Sequence, residues 1–187
     1  MSFKFKNMPI HKVDDHLVPA QLICFIGSIL MLLQSFIIHG PVTEVLVRVK
    51  DALFITGTTL LSIKLARDGW EMAAAGFIIL TIGWGVLFAA TDNLGKKIGY
   101  DNLASAFYFV APAMILMTFY RPFKFWIKLL LIINITPFLL SLAFKIANAK
   151  SDSIIFLSVI NILFMHIVSI IWSIYFFAEH RKLKRII

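Results

Sequence analysis

MAAAGFIILTIGWGVLFAAT, residues 72–91, runs from Met72 to Thr91 without a charged side chain. A helix of that length measures about 30 Å, the thickness of a bilayer's hydrocarbon core. Five further stretches flank it: Leu17–Ile38, Val45–Ala66, Leu103–Tyr120, Phe125–Ala147 and Ile154–Ala178. Each is near the length of about 20 residues that a membrane-crossing helix needs. The spacers between them are too short for a soluble domain. The expected fold class is therefore all-α, a polytopic transmembrane helical bundle of six spans occupying residues 17–178.

Composition supports a nonaqueous solvent. Hydrophobic residues make up 60% of the 187-residue chain, and 18 of the residues are Phe; soluble domains sit nearer half apolar. The net charge of +8 does not point to nucleic acid, because the basic residues lie at segment ends, where anionic lipid headgroups attract them. The one cysteine, Cys24, excludes an intrachain disulfide and a cysteine-based metal centre. Residues 1–16 are polar and basic, and the apolar run after them is longer than a signal-peptide core, so it reads as a retained first span.

Charge orients the bundle. With six crossings, Lys4, Lys6, Lys12, Lys64, Arg67, Arg121, Lys124, Lys128, Arg181, Lys182, Lys184 and Arg185 share one side. Arg48, Lys50, Lys96, Lys97, Lys145 and Lys150 share the other. Twofold enrichment of Lys and Arg places both termini in the cytoplasm, with residues 1–16 and the basic tail 179–187 as cytoplasmic segments. The expected location is a bacterial cytoplasmic (inner) membrane. The expected partners are the bilayer, anionic headgroups at the tail, and a membrane-protein partner or a second copy of the chain. The second segment is the least typical span: its uncharged centre covers only residues 52–63, and Lys50 and Lys64 flank it in position to snorkel.

Local signals refine the picture. Pro112 and Pro137 interrupt the fourth and fifth segments and predict kinks, with Asn134 and Thr136 available to bond the freed backbone. Ala73, Gly76, Gly83 and Ala90 share one face of the third segment and predict close helix packing. Asp101 or Asn102 suits the N-cap of the fourth helix.

The polar residues fall in stripes. At 100° per residue, Glu44, Arg48, Asp51, Thr58, Thr59 and Ser62 occupy one arc of about 100° on the second segment, and Lys50 and Lys64 fall outside it. Gln21, Cys24, Ser28, Ser35 and His39 form a stripe on the first segment. Ser158, His166, Ser169 and Ser173 form another on the sixth, with Asn161 at its margin. Polar groups in hydrocarbon face a partner or water, so these faces should turn inward. The candidate ligand-binding residues are thus His39, Glu44, Arg48, Asp51, Thr59, Ser62, Asn161 and His166. Arg48 would contact an anion, Glu44 and Asp51 would balance its charge, and His166 with Asn161 would supply deep polar contacts.

No catalytic residue is assigned. Gly-x-Ser-x-Gly, His-Glu-x-x-His and Gly-Lys-Ser/Thr patterns are missing from the sequence, and Ser105 has no visible activating partner. No metal or cofactor is expected: only His166, of the five histidines, lies at membrane depth. The expected function is a small membrane protein with a polar intramembrane cavity that binds, senses or conducts a small polar solute or ion. The alternative is an accessory subunit of a larger membrane complex, and a lipid-active enzyme ranks third.

Overall fold

The computed structural model describes residues 18–34, 41–91, 100–147 and 151–184, and among these it is all-helical. Six helices follow one another: α1 Val18–Gln34, α2 Pro41–Arg67, α3 Glu71–Thr91, α4 Tyr100–Met117, α5 Phe125–Ile146 and α6 Ser151–Lys184. Each coincides with one of the six apolar stretches. Among the described residues, three helices contain segments long and apolar enough to cross a membrane: Glu71–Ala89, Phe125–Phe144 and Ile160–Ala178. α4 carries a shorter apolar segment, Tyr108–Met117. α1 is 17 residues long as described, and the charges of α2 set it apart from the other helices.

Each helix packs on the next in the chain, and α1 closes on α6, so that the order forms a ring. Neighbours run antiparallel. Thr81 meets Thr58 while Trp84 meets Asp51, which fixes opposite directions for α2 and α3. Trp70 stacks on Tyr120 and Gly76 abuts Ala113, which does the same for α3 and α4. Asn134 reaches Met165, and Pro122, just ahead of α5, accepts a hydrogen bond from Tyr175. Directions therefore alternate, and α1 begins at the end of the bundle where α6 finishes.

Small residues set the helix separations. A Cβ added at Gly57 would lie 2.6 Å from the backbone nitrogen of Cys24, and one at Gly27 would lie 3.0 Å from the backbone nitrogen of Phe54. α1 and α2 thus touch through paired glycines. Gly76 plays the same part between α3 and α4, where an added Cβ would sit 2.8 Å from the Ala113 carbonyl oxygen. Backbone approach of this kind drives packing where lipid removes the hydrophobic incentive.

The α2–α3 turn is chemically specified. Gly69 adopts φ 79°, its N–H donates to the Ala66 carbonyl, and the Trp70 N–H donates to the Leu65 carbonyl. This paired 5→2 and 6→1 pattern is a Schellman cap, which requires the left-handed residue that glycine supplies. At the same end, the α4–α5 turn folds onto α6. Tyr120 and Phe123 are buried there against Tyr175 and Phe176, and an aromatic cluster closes this end of the ring.

Two local expectations change. Asp101 and Asn102 fall inside the first turn of α4, which starts at Tyr100, so neither caps it. The Asn134 side chain turns to sulfur rather than to the backbone freed by Pro137: its Nδ2 donates to Met165 at 3.3 Å. Pro112 and Pro137 lie inside α4 and α5.

Polar side chains share the interior with the apolar core. Lys50, Asp51, Thr58, Ser62, Asn134, Asn161, His166, Ser169 and Ser173 are buried. Large apolar side chains are exposed on every helix, among them Ile26, Ile63, Ile82, Ile115, Ile132 and Ile174. Apolar exposure of this extent, together with three helices long and apolar enough to cross a bilayer, suits a membrane protein.

Candidate functional site: a buried charge pair beside a buried histidine

α2 places two charged residues in the interior. Lys50 and Asp51 are each 5% exposed, and the Lys50 Nζ lies 3.9 Å from the Asp51 Oδ1. The same carboxylate oxygen accepts a hydrogen bond from the Trp84 indole Nε1 at 3.1 Å. Trp84 belongs to α3, so the carboxylate ties two helices together. A carboxylate taken out of water needs such donors, because an uncompensated buried charge is very costly.

α6 brings His166 to the same place. Its ring meets that of Trp84 edge-on, with centroids 5.1 Å apart at 90°, and that of Phe54 at 5.3 Å and 72°. Phe54 and Trp84 also pack on one another, at 4.8 Å. Phe54 lies three residues after Asp51 and so shares its face of α2. Trp84 therefore stands between the carboxylate and the imidazole, with its N–H toward one and its ring toward the other. His166 is 1% exposed, and neither ring nitrogen has a hydrogen-bond partner among the described residues. A neutral imidazole carries one donor and one acceptor, and leaving either unmet when buried costs about 1–3 kcal/mol.

A hydroxyl cluster lies further along α6. Ser169 and Ser173 follow His166 at i+3 and i+7, on the same face of the helix. Ser169 hydrogen-bonds Ser28 of α1 and lies 3.9 Å from the Cys24 sulfur. On the other side of α2, Thr58 and Thr81 bond each other at 2.8 Å and also bond carbonyls of their own helices. These hydroxyls join α1 to α6 and α2 to α3.

The residues singled out from sequence are distributed as follows. Asp51 and His166 come together around Trp84 and Phe54. Ser62 is buried eleven residues further along α2, about 16 Å from Asp51 by helical rise. Asn161 is buried on α6, five residues before His166. Arg48 is exposed, and Thr59 is exposed with its hydroxyl bonded to the Ile55 carbonyl of its own helix. His39 lies outside the described residues, as does the side chain of Glu44. Among the described residues, no three His, Cys, Asp or Glu side chains converge as a metal site would require.

Two members of the group escape the stripe reading. Lys50 is expected at an interface and is instead interior; Lys64, its counterpart, pairs with Asp68 at 2.9 Å near the α2–α3 turn. α2 is flanked by α1 and α3 and faced by α6 side chains, so its buried arc is wider than one polar stripe. Trp84 carries a signal of its own, since an indole N–H in the middle of an apolar helix needs an acceptor. No protein-family model, curated protein or solved structure matches this chain.

Proposed function

We propose that the chain is a six-span membrane protein with both ends in the cytoplasm. Its interior site admits a small polar solute or ion, with Asp51, Lys50 and His166 as the contacts. The observation that carries this reading is the Lys50–Asp51 pair, buried beside an imidazole whose two nitrogens have no partner among the described residues. Ionisable groups inside an apolar bundle are expensive, and a role in handling a solute is the default reason for keeping them. The apolar surface exposed on all six helices supports insertion of the whole ring rather than of three helices alone.

The test is flux. Purified protein reconstituted into liposomes is assayed against a panel of small ions and polar solutes, alongside Asp51→Asn and His166→Gln. Wild type is expected to pass at least one member of the panel, and both variants to lose that flux while still inserting as helical protein. Wild-type vesicles that pass nothing, or variants that match wild type, would remove the proposal. A second reading, an accessory subunit, draws on the continuation of α6 past the apolar segment to Lys184, which carries Arg181, Lys182 and Lys184 in helical form. It predicts that truncation after Ala178 abolishes copurification of a partner, with no effect from either point variant.

A further inference from the structure

We propose that the α4–α5 turn is a docking surface for anionic phospholipid. Arg121, Lys124 and Lys128 hold the headgroup phosphate, and Phe119, Phe125 and Trp126 meet the glycerol and the upper acyl chains. The inference rests on the membrane-protein reading above, and it concerns the outer surface rather than the interior site.

The first observation is position. Glu71–Ala89 and Phe125–Phe144 begin at this end of the ring and Ile160–Ala178 finishes there; all three are long and apolar enough to cross a membrane. Tyr175, three residues before the end of the last segment, donates its hydroxyl hydrogen to the Pro122 carbonyl. The turn therefore lies level with the three segment ends. In a bilayer that level is the headgroup region, where aromatic and basic side chains concentrate. Under the orientation proposed above it belongs to the cytoplasmic leaflet, which carries anionic lipid.

The second observation is shape. The Phe123 N–H donates to the Tyr120 carbonyl at 3.1 Å, which closes a four-residue turn with Arg121 and Pro122 at its tip. Tyr120, Phe123 and Ile127 are buried. Tyr120 packs on Trp70 and Phe176, and Phe123 on Tyr175 and Phe176. The outward side chains alternate with these anchors. Phe119 is 55% exposed, Phe125 81% and Trp126 48%, with Arg121 and Lys124 exposed between them and Lys128 half-buried. Three large outward aromatics so close together exceed the singly scattered apolar side chains of an ordinary surface. Because the turn is pinned from beneath, its cations are presented to a ligand with little ordering left to do.

The third observation is charge. From Asn102 to Ser151 the sequence contains no Asp or Glu. Among the described residues, Arg121, Lys124 and Lys128 form no ion pair, and at the neighbouring α2–α3 turn Asp68 is taken by Lys64. Lys124 and Lys128 stand one helical turn apart at the positive end of α5, where the helix dipole and their mutual repulsion both oppose them. Contacts within the fold do not account for cations placed there; an anion bound from outside does. A free phosphate would satisfy the cations alone, whereas a phospholipid also covers the aromatics.

The experiment uses the full chain in phosphatidylcholine vesicles. Tryptophan fluorescence is quenched by lipids brominated near the glycerol end of their acyl chains, added either as phosphatidylcholine or as phosphatidylglycerol. Trp126 is the exposed reporter, since Trp84 and Trp172 are buried. At about a tenth of the lipid, brominated phosphatidylglycerol is expected to quench as though about fivefold enriched beside the protein over brominated phosphatidylcholine. Salt at about 0.5 M should reduce that preference. The combined Arg121→Gln, Lys124→Gln and Lys128→Gln variant should lose it. The charge-keeping set Arg121→Lys, Lys124→Arg and Lys128→Arg should retain it, as should Arg67→Gln in the neighbouring turn. Equal quenching by the two lipids would overturn the inference and leave the membrane reading standing; a patch that serves free phosphate or an acidic protein gives this result. No quenching by either lipid would overturn both. A preference that survives the glutamine set, or that Arg67→Gln removes equally, would overturn the assignment to this turn. If the glutamine set does not reconstitute, Lys124→Gln alone must lower the preference about twofold or more for the inference to survive.

Discussion

Asp51 is the residue on which the interior depends, because it answers both a lysine and an indole. Removing one member of a buried ion pair costs about 3–5 kcal/mol, whereas replacing both by uncharged groups of similar volume is often near neutral. Asp51→Leu should therefore destabilise the protein strongly, and so should Lys50→Met, while the double variant should recover about 2 kcal/mol or more relative to the worse single variant. Thermal unfolding in detergent measures all three, and strict additivity would mean that the two charges do not depend on each other. Trp84→Phe keeps the aromatic packing on Phe54 and His166 but deletes the donor, at a cost of about 1.5–3 kcal/mol for a bond to a charged acceptor. His166 behaves in the opposite sense. With neither nitrogen bonded among the described residues, His166→Phe exchanges two unmet polar atoms for apolar ones in an aromatic surrounding. It should raise stability by about 1 kcal/mol while ending flux, a trade of function for stability that a merely structural histidine would not display. A fall in melting temperature for this variant would show that the imidazole supports the fold.

Among the elements, α1 and α2 have the least freedom in how they meet. Gly57 sits against the backbone of Cys24 and Gly27 against that of Phe54 and Lys50, so the two helices touch main chain to main chain. A side chain at Gly57 has no flexible neighbour to push aside. Gly57→Val should cost about 2 kcal/mol or more and should also displace the α2 register that carries Asp51 to Trp84. The matching change at Gly85, where an added Cβ meets nothing within 4 Å, should be tolerated. The pair of variants separates loss of contact from loss of glycine as such: equal destabilisation by Gly57→Val and Gly85→Val, followed by thermal melts, would refute the close-approach argument. The α2–α3 turn adds a backbone requirement, since Gly69 at φ 79° has open space around it but a conformation that side chains resist.

At the scale of the molecule, what could be read without coordinates follows from solvent physics. The six helices coincide with the six apolar stretches, with ends displaced by a few residues where capping rather than hydropathy decides, and among the described residues three of them are long and apolar enough to cross a membrane. Asp51, Ser62, Asn161 and His166 are buried, as the cost of polar groups in hydrocarbon leads one to expect, whereas Arg48 and Thr59 from the same stripe of α2 are exposed. What could not be read is which buried groups meet. Lys50 falls outside the single stripe of α2 because a stripe describes contact with one neighbour, and α2 has several. The partnership of Trp84 with Asp51 crosses 33 residues of sequence, and no periodicity within one helix reports it. The same solvent argument makes the number of crossings testable. Cys24 is the chain's only cysteine and is buried, so Cys24→Ser provides a background for single reporter cysteines. Glu71 and Lys124 are exposed at the turn end of the ring, whereas His39 and Ala149 lie in sequence between α1 and α2 and between α5 and α6. With six spans and cytoplasmic ends, a membrane-impermeant maleimide applied to intact cells should label His39→Cys and Ala149→Cys, and should reach Glu71→Cys and Lys124→Cys only after permeabilisation. Equal labelling at 39 and 71 would mean that α2, the most charged helix, does not cross. Equal labelling at 124 and 149 would mean the same for α5, and reversal of the whole pattern would invert the orientation inferred from the lysines and arginines.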